Sequence, residues 1–250
     1  MRIPLDHIGI LCGDLDATIT SWRALGFEVT DPVDLDPGTG DAQGRQRSAH
    51  IAFQDHYLEL SCVTDATPDH PLYRWTLEPD AARILVFACE NAEAKQAELK
   101  AQGFNVSPVR EATRTSRHGE ARFRWFALDE DSVPGTLTAW VQHLTPDRVF
   151  APAGHRHPNG IAGFRALLCR HTGALEPFVD DRDNAVQCLT ANTPEEGTAA
   201  VVGATLFGTV PDDFRQRLLN EKLATTTGVD TLQVEAASTG GLKLTLESRR

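Results

Sequence analysis

The sequence predicts an α+β fold that begins with two tandem βαβββ units. Two observations lead to this prediction. Residues 5–27 (LDHIGILCGDLDATITSWRALGF) have the pattern of a strand, a turn and a helix, and residues 83–106 (RILVFACENAEAKQAELKAQGFNV) repeat that pattern. Further strand-like segments then follow each helix at similar spacing, so the duplication extends well beyond one short motif.

The first unit opens with an apolar strand and a capped helix. Asp14 is a good N-cap residue, because its carboxylate accepts a hydrogen bond from the free backbone N–H groups of the first turn. Gly26 provides the left-handed residue that commonly ends a helix. Between them, apolar residues at helical spacing form one stripe: Leu15, Ile19, Trp22 and Leu25. Segments 47–54 and 56–63 then predict two further strands.

The second unit repeats the first one 77 positions later in the chain. Asn91 takes the place of the cap Asp14, and Gly103 takes the place of Gly26. Segments 121–128 and 135–142 predict the later strands of this unit. A matching cap, helix length and strand pair make a chance repeat improbable, so the duplication predicts structure before it predicts function.

The last ninety residues predict a partial third unit. A strand at 162–169, further strands, a helix opened by Pro211 and a final hairpin repeat the order of elements. The predicted boundaries are therefore 1–77, 78–158 and 159–250. We expect this part either to support the first two units or to form a homodimer contact.

Composition excludes several classes of function. The 250 residues carry a net charge of −11, and lysine and arginine are scattered, so a nucleic-acid partner is not expected. No apolar run is long enough to span a membrane, and the N-terminus lacks the pattern of a signal peptide, which predicts a cytoplasmic protein. The five cysteines lie mostly in apolar runs, as reduced core thiols do.

Several motifs together resemble the vicinal oxygen chelate superfamily, in particular its glyoxalase-like members. They are the opening DHIGI…DL…W..LGF.V, the strand YLEL, QHLTP at 142–146 and HPNG at 157–160. The resemblance implies that the two units form a curled mixed sheet around a cleft. It also implies a divalent metal, held there by side chains from the first and last strand of each unit. The implied activity is that of a lyase, isomerase or dioxygenase acting on a small molecule.

Alternation along the strands predicts which side chains face that cleft. Successive side chains of a strand point to opposite faces of the sheet, so His7 lies on the other face from the apolar Ile8 and Ile10. Tyr57 and Glu59 likewise lie on the other face from the apolar residues of their own strand. His50 shares the same face on the strand between them. His7 and Glu59 are thus the candidate metal ligands, with Glu59 also a candidate general base. Imidazole and carboxylate suit Zn²⁺, Mn²⁺, Fe²⁺, Co²⁺ or Ni²⁺ alike.

The second unit departs from the metal-binding pattern. Ile84 stands where a ligand corresponding to His7 is expected, and matching AWVQ to HYLE places Gln142 at the position of Glu59. Three outcomes stay open: Gln142 or His143 completes the site, His50 does, or the site holds no metal. The other candidate substrate-binding residues are Tyr57, His50, Trp140, His143 and Arg165. The alternative function is a metal-free protein that binds or sequesters a small molecule, as resistance proteins do.

Overall fold

The computed structural model describes residues 1–36, 45–64, 66–116, 119–129, 132–150, 155–179, 185–191 and 199–248. After a short strand β1 (Arg2–Ile3), the first unit consists of β2 (Leu5–Leu11), α1 (Leu15–Ala24), β3 (Val33–Asp36), β4 (Arg45–Ala52) and β5 (Tyr57–Thr64). The second unit consists of β6 (Ala81–Ala88), α2 (Ala92–Ala101), β7 (Arg110–Ser116), β8 (Gly119–Ala127) and β9 (Leu137–His143). Both units therefore have the predicted βαβββ order.

The two helices begin and end as the sequence predicts. The Asp14 side chain accepts from the backbone N–H of Ala17 at 2.9 Å, and the Asn91 side chain accepts from that of Ala94 at 2.8 Å. Gly26 and Gly103 follow the two helices with φ angles of +78° and +91°. Side chains with a Cβ rarely adopt this conformation, which explains the glycine at both positions.

The sheet of the two units closes into a barrel. β2 and β5 run parallel, as do β6 and β9, and β2 pairs with β6 in antiparallel orientation. The ring is completed where β3 pairs with β7, through Leu35 with Arg114 and Asp36 with Thr113. Eight strands of the described chain form this ring. The predicted curled, cleft-bearing sheet is confirmed, and its cleft is the interior of the barrel.

Alternating side chains divide the two units into an outer core and an inner surface. Ile8, Trp22 and Leu58 belong to the outer core, where the helices cover the sheet. A separate inner cluster lines the barrel and includes Ile84, Val86 and Ala139. The short 3-10 turn Tyr73–Trp75 contributes Trp75 to this inner cluster. The inner surface is thus apolar except at the positions described below.

The C-terminal part contains more structure than one partial unit. Its elements are β10 (Ile161–Cys169), α3 (Thr172–Leu175), β11 (Val186–Thr190), β12 (Val201–Gly208), α4 (Asp212–Asn220), β13 (Thr225–Gly228), β14 (Thr231–Val234) and β15 (Lys243–Ser248). β12 to β15 form a complete βαβββ unit in which the first and last strands are parallel. β10, α3 and β11 form a shortened one, and β10 pairs with β12 as β2 pairs with β6. Of the helices described here, none is both long and apolar enough to cross a membrane.

Candidate active site

The interior of the barrel holds a cavity with one polar region and otherwise apolar walls. It encloses about 850 Å³ of space between atoms, its solvent-filled mouth included. Leu35, Val86, Phe123, Trp125 and Val141 are among the apolar residues that line it. The polar lining residues include His7, Gln46, His50, Tyr57, Glu59, Arg114 and His143. A largely apolar cavity with a few converging polar groups is typical of a small-molecule site.

His7 lies at the centre of the polar region, between two carboxylates. Its Nδ1 is 2.7 Å from Oδ1 of Asp6, and its Nε2 is 3.4 Å from Oε2 of Glu59. The ring of Tyr57 stacks on the imidazole with 4.2 Å between centroids, and the Tyr57 hydroxyl lies 3.5 Å from Nε2. The predicted convergence of His7, Tyr57 and Glu59 is therefore present, with the Nε2 atom of His7 as its focus.

The mutual hydrogen bonds of this group determine its protonation. Burial favours a neutral His7, but its hydrogen bonds to Asp6 and Glu59 outweigh burial and raise the pKa of the imidazole. Burial likewise acts to raise the pKa of Glu59, yet the bond and charge of His7 hold that pKa at about 2. Burial and the charge of Asp6 raise the pKa of Tyr57 well above its ordinary value. These shifts favour an ionised carboxylate beside a protonated imidazole and a protonated phenol.

Asp6 is a buried residue that the sequence analysis did not select. Strand alternation places it on the opposite face from His7, but two residues of β2 oppose one residue of β6 between Leu5 and His7. This bulge brings the Asp6 carboxylate beside two imidazoles, since Oδ2 also lies 2.9 Å from Nε2 of His143. Burial acts to raise the pKa of Asp6, and the two histidines more than reverse that effect and hold it far below its usual range.

A second polar contact joins the two units. Arg114 of β7 lies against the ring of His50, with Nη1 3.3 Å from Nδ1. Burial and the positive charge of Arg114 together hold the pKa of His50 well below its ordinary value, so this imidazole is neutral. His50 in turn lies edge-on to Tyr57, with ring centroids 5.2 Å apart. The placement of His50 agrees with the prediction, whereas Arg114 was not predicted.

Three predicted site residues lie outside the cavity, which corrects their assignment. Trp140 is fully buried in the outer core and packs against Phe126 and Phe87. The Gln142 side chain accepts a hydrogen bond from the backbone N–H of Ala92 at the start of α2, at 3.1 Å. Gln142 therefore points away from His7 and is not a metal ligand.

The third of these residues, Arg165, lies on β10 in the C-terminal part. It forms a 2.6 Å ion pair with Glu247, and both side chains are partly exposed. His143, by contrast, lines the cavity with Ala139 and Val141, because these three residues occupy alternate positions of β9 and point to the same face. His143 therefore enters the cavity through the regular alternation of β9, without a bulge.

The donor set does not fit the metal that the family resemblance implies. The parallel pairing aligns Gly9 with Glu59 and Val86 with Ala139, so the second-unit counterpart of Glu59 is Ala139. Two of the four ligand positions therefore carry apolar side chains, Ile84 and Ala139. Within the described ranges, no three His, Cys, Asp or Glu side chains are arranged to hold a metal ion. Catalytic zinc sites ordinarily use three protein ligands, and of the four positions that the resemblance implies only two, His7 and Glu59, carry donor side chains.

Comparison with known proteins agrees with this architecture. The model of the glyoxalase-like domain family matches residues 5–178. The fold is similar to that of a hypothetical protein from Staphylococcus aureus, with a TM-score of 0.64 and 9% identity over 98% of this chain and 99% of that one. A mutant of 4-hydroxymandelate synthase from Streptomyces coelicolor gives a TM-score of 0.57 at 12% identity, over 100% and 94% of the two chains. At these identities the two structures show the fold alone.

One curated protein is similar over part of its length. A 5-keto-4-deoxy-D-glucarate aldolase from Enterobacter sp. (strain 638) is 29% identical in an alignment of 158 residues that covers 59% of this chain. The match spans only 60% of that protein.

Proposed function

We propose that the barrel of this chain catalyses proton transfer on a small carbonyl compound without a resident metal. The chain belongs to the glyoxalase-like domain family of the vicinal oxygen chelate superfamily. The observation that supports this proposal most directly is the row Asp6–His7–Glu59 at the polar end of an apolar cavity. A buried imidazole between two carboxylates is costly to fold, and such groups are typical of functional sites.

The proposed step is removal of a proton from the carbon next to a carbonyl group. The substrate carbonyl oxygen accepts hydrogen bonds from Nε2–H of His7 and the hydroxyl of Tyr57, whose heavy atoms lie 3.5 Å apart. Glu59 takes the proton as the C–H bond breaks, and the electron pair moves onto the carbonyl oxygen to give an enolate. The two donors then stabilise the developing negative charge, as an oxyanion hole does.

The low pKa of Glu59 in the free protein does not prevent this role. Its carboxylate is held ionised mainly by the neighbouring His7. A carbonyl oxygen that takes up the Nε2–H of His7 removes part of that interaction, so substrate binding raises the basicity of Glu59. Return of the proton to another atom or face gives isomerisation, and loss of a leaving group gives a lyase. The partly similar relative is named as an aldolase, and aldol cleavage also passes through an enolate.

A metal-free binding protein is the second candidate function. The apolar walls and the residues Ile84 and Ala139 at two ligand positions favour it. A binding protein needs affinity for its ligand but no proton acceptor, so the two candidates differ in whether a bound compound exchanges its protons with solvent.

Hydrogen exchange in D₂O distinguishes these functions. We expect the wild-type protein to accelerate loss of the α-proton NMR signal of small 2-oxo acids, and we expect Glu59→Gln to abolish this acceleration. Glu111→Gln makes the same chemical change in an exposed ion pair with Arg124 and is the matched control. Binding without accelerated exchange would support the binding protein instead.

Elemental analysis of the purified protein tests the metal-free part of the proposal. We expect less than stoichiometric metal after purification and after incubation with Zn²⁺, Mn²⁺, Fe²⁺, Co²⁺ or Ni²⁺. One tightly held ion per chain that is lost in both His7→Ala and Glu59→Ala would contradict the proposal and restore the metal-dependent alternative.

A further inference from the structure

Arg114 reaches the cavity from the strand that closes the barrel. It lies on β7, opposite Leu35 of β3, and both side chains line the cavity. The guanidinium is half-buried and meets the ring of His50 from the other unit. This arrangement depends on the pairing of β3 with β7, so barrel closure itself brings a positive charge to the polar region.

Within the part of the chain that the structure describes, the charge of Arg114 has no carboxylate directly beside it. Among the described residues, no Asp or Glu oxygen forms an ion pair with it, whereas the nearby exposed arginines Arg122 and Arg124 both pair with Glu111. Its neighbour His50 is a neutral imidazole, and Glu59 interacts with Arg114 only through its charge, without an ion pair. A cavity-facing arginine with this environment retains donors and charge for an anion.

The neighbouring rings relate this charge to the reactive end of the cavity. His50 lies beside Tyr57, and Tyr57 stacks on His7. Arg114, His50, Tyr57 and His7 therefore form one row along the cavity wall. Arg114 also has a side-chain hydrogen bond with the Tyr57 hydroxyl, so an anionic group bound at Arg114 would adjoin a carbonyl oxygen that accepts from His7 and Tyr57.

We propose that Arg114, supported by His50, binds a carboxylate of the substrate, which makes the substrate class a small 2-oxo or 3-oxo carboxylic acid with an apolar tail. This inference rests on the proposed function and deepens it. A single arginine fork matches a planar carboxylate. The tail then lies against the apolar wall that includes Phe123 and Trp125.

Calorimetric titration with a matched ligand pair tests this assignment. The probes are 4-methyl-2-oxopentanoate and its primary amide, which have nearly the same shape and differ in charge. We expect the acid to bind wild-type protein about 10- to 100-fold more tightly than the amide, the range given by one charged hydrogen-bonded contact. In Arg114→Gln this preference falls to within about 3-fold, and Arg114→Lys is intermediate because it keeps the charge without the fork.

Arg124→Gln is the control, because it removes an exposed arginine that pairs with Glu93 and Glu111 outside the cavity. It should keep the full preference for the acid. Equal affinity of wild-type protein for the two ligands would overturn the inference, as would a preference that persists in Arg114→Gln or failure of both ligands to bind. The wild-type comparison does not depend on whether any variant folds.

The two proposals fail in different ways. Preferential binding of the acid without accelerated proton exchange would contradict the proposed function and support the anion site. Accelerated exchange with equal affinity for the acid and the amide would support the proposed function and contradict the anion site.

Discussion

Replacement of Glu59 by glutamine tests the electrostatics of the site through the stability of the protein. The folded environment lowers the pKa of this carboxyl group from 4.5 to about 2. Because one pKa unit corresponds to about 1.4 kcal/mol, folding favours the ionised over the protonated form by about 3 kcal/mol. Glutamine resembles the protonated form, so we expect Glu59→Gln to lower the free energy of unfolding at pH 7 by about that amount.

The pH dependence of this loss follows from the direction of the shift. A carboxyl group with a lowered folded-state pKa contributes stability fully above its unfolded pKa of 4.5 and loses it as the pH falls towards 2. The difference between wild type and Glu59→Gln should therefore be present in full at pH 5 and shrink as the pH falls below 4.5. Urea unfolding of both proteins at pH 7, 5 and 3.5 measures it.

The exposed Glu111 supplies the comparison for this experiment. Glu111→Gln removes a carboxylate that pairs with Arg124 at the surface, so its effect should stay within about 0.5 kcal/mol. The reasoning is refuted if Glu59→Gln changes the free energy of unfolding by less than about 1 kcal/mol at pH 7. A difference that stays equal at pH 7 and 3.5 would refute it as well, because the loss would then be unrelated to the carboxylate charge.

Three further substitutions probe the remaining features. Asp6→Asn removes the negative charge that bonds to Nδ1 of His7 and holds the imidazole in place. NMR titration should then show a lower His7 pKa, and proton exchange should slow about 10- to 100-fold. Unchanged values for both would contradict the role of Asp6 in positioning His7. His157→Ala removes a buried imidazole that is hydrogen-bonded at both nitrogens and links the turn to the first unit. The free energy of unfolding measured in urea should fall by about 3 kcal/mol, and a fall of less than about 1 kcal/mol would contradict this structural role. Ile84→His adds a third candidate ligand to the cavity and should create Co²⁺ binding visible by absorption, with Ile84→Leu as the control that stays metal-free.

Local sequence signals predicted the fold because they depend on near neighbours. The caps Asp14 and Asn91 and the glycines after each helix act within a few residues, and both helices begin and end accordingly. Alternation along a single strand also correctly placed Tyr57 and Glu59 in the cavity. The HPNG motif at 157–160 contains a turn, and His157 at its start bonds to the backbone of the first unit through both ring nitrogens.

Errors arose where a residue's direction depends on the alignment of two distant strands. In the observed alignment of the two units, Ala139 corresponds to Glu59. The match of Gln142 to Glu59 is shifted from this alignment by three residues, which is an odd number. An odd shift in a strand moves every side chain to the other face. Gln142 and Trp140 were therefore assigned to the cavity, although both lie on the helix side.

Asp6 and Arg114 were missed for a related reason. The bulge that brings Asp6 to His7 exists only in the pairing of β2 with β6, and no turn residue marks it. Arg114 reaches His50 only because β3 and β7 meet across the closed barrel through two residue pairs. Long-range strand pairing of this kind leaves no local pattern in a single sequence.

The duplicated units carry unequal chemistry, and this inequality has a consequence for specificity. Asp6, His7, Tyr57 and Glu59 all come from the first unit, whereas the counterparts Ile84 and Ala139 of the second unit are apolar. The second unit instead contributes apolar lining residues such as Phe123 and Trp125 and, through β7, the charge of Arg114. Substitutions of Arg114, Phe123 and Trp125 should therefore change which compound binds while the proton acceptor Glu59 stays intact. Substitutions in β2 and β5 should abolish turnover of every substrate alike.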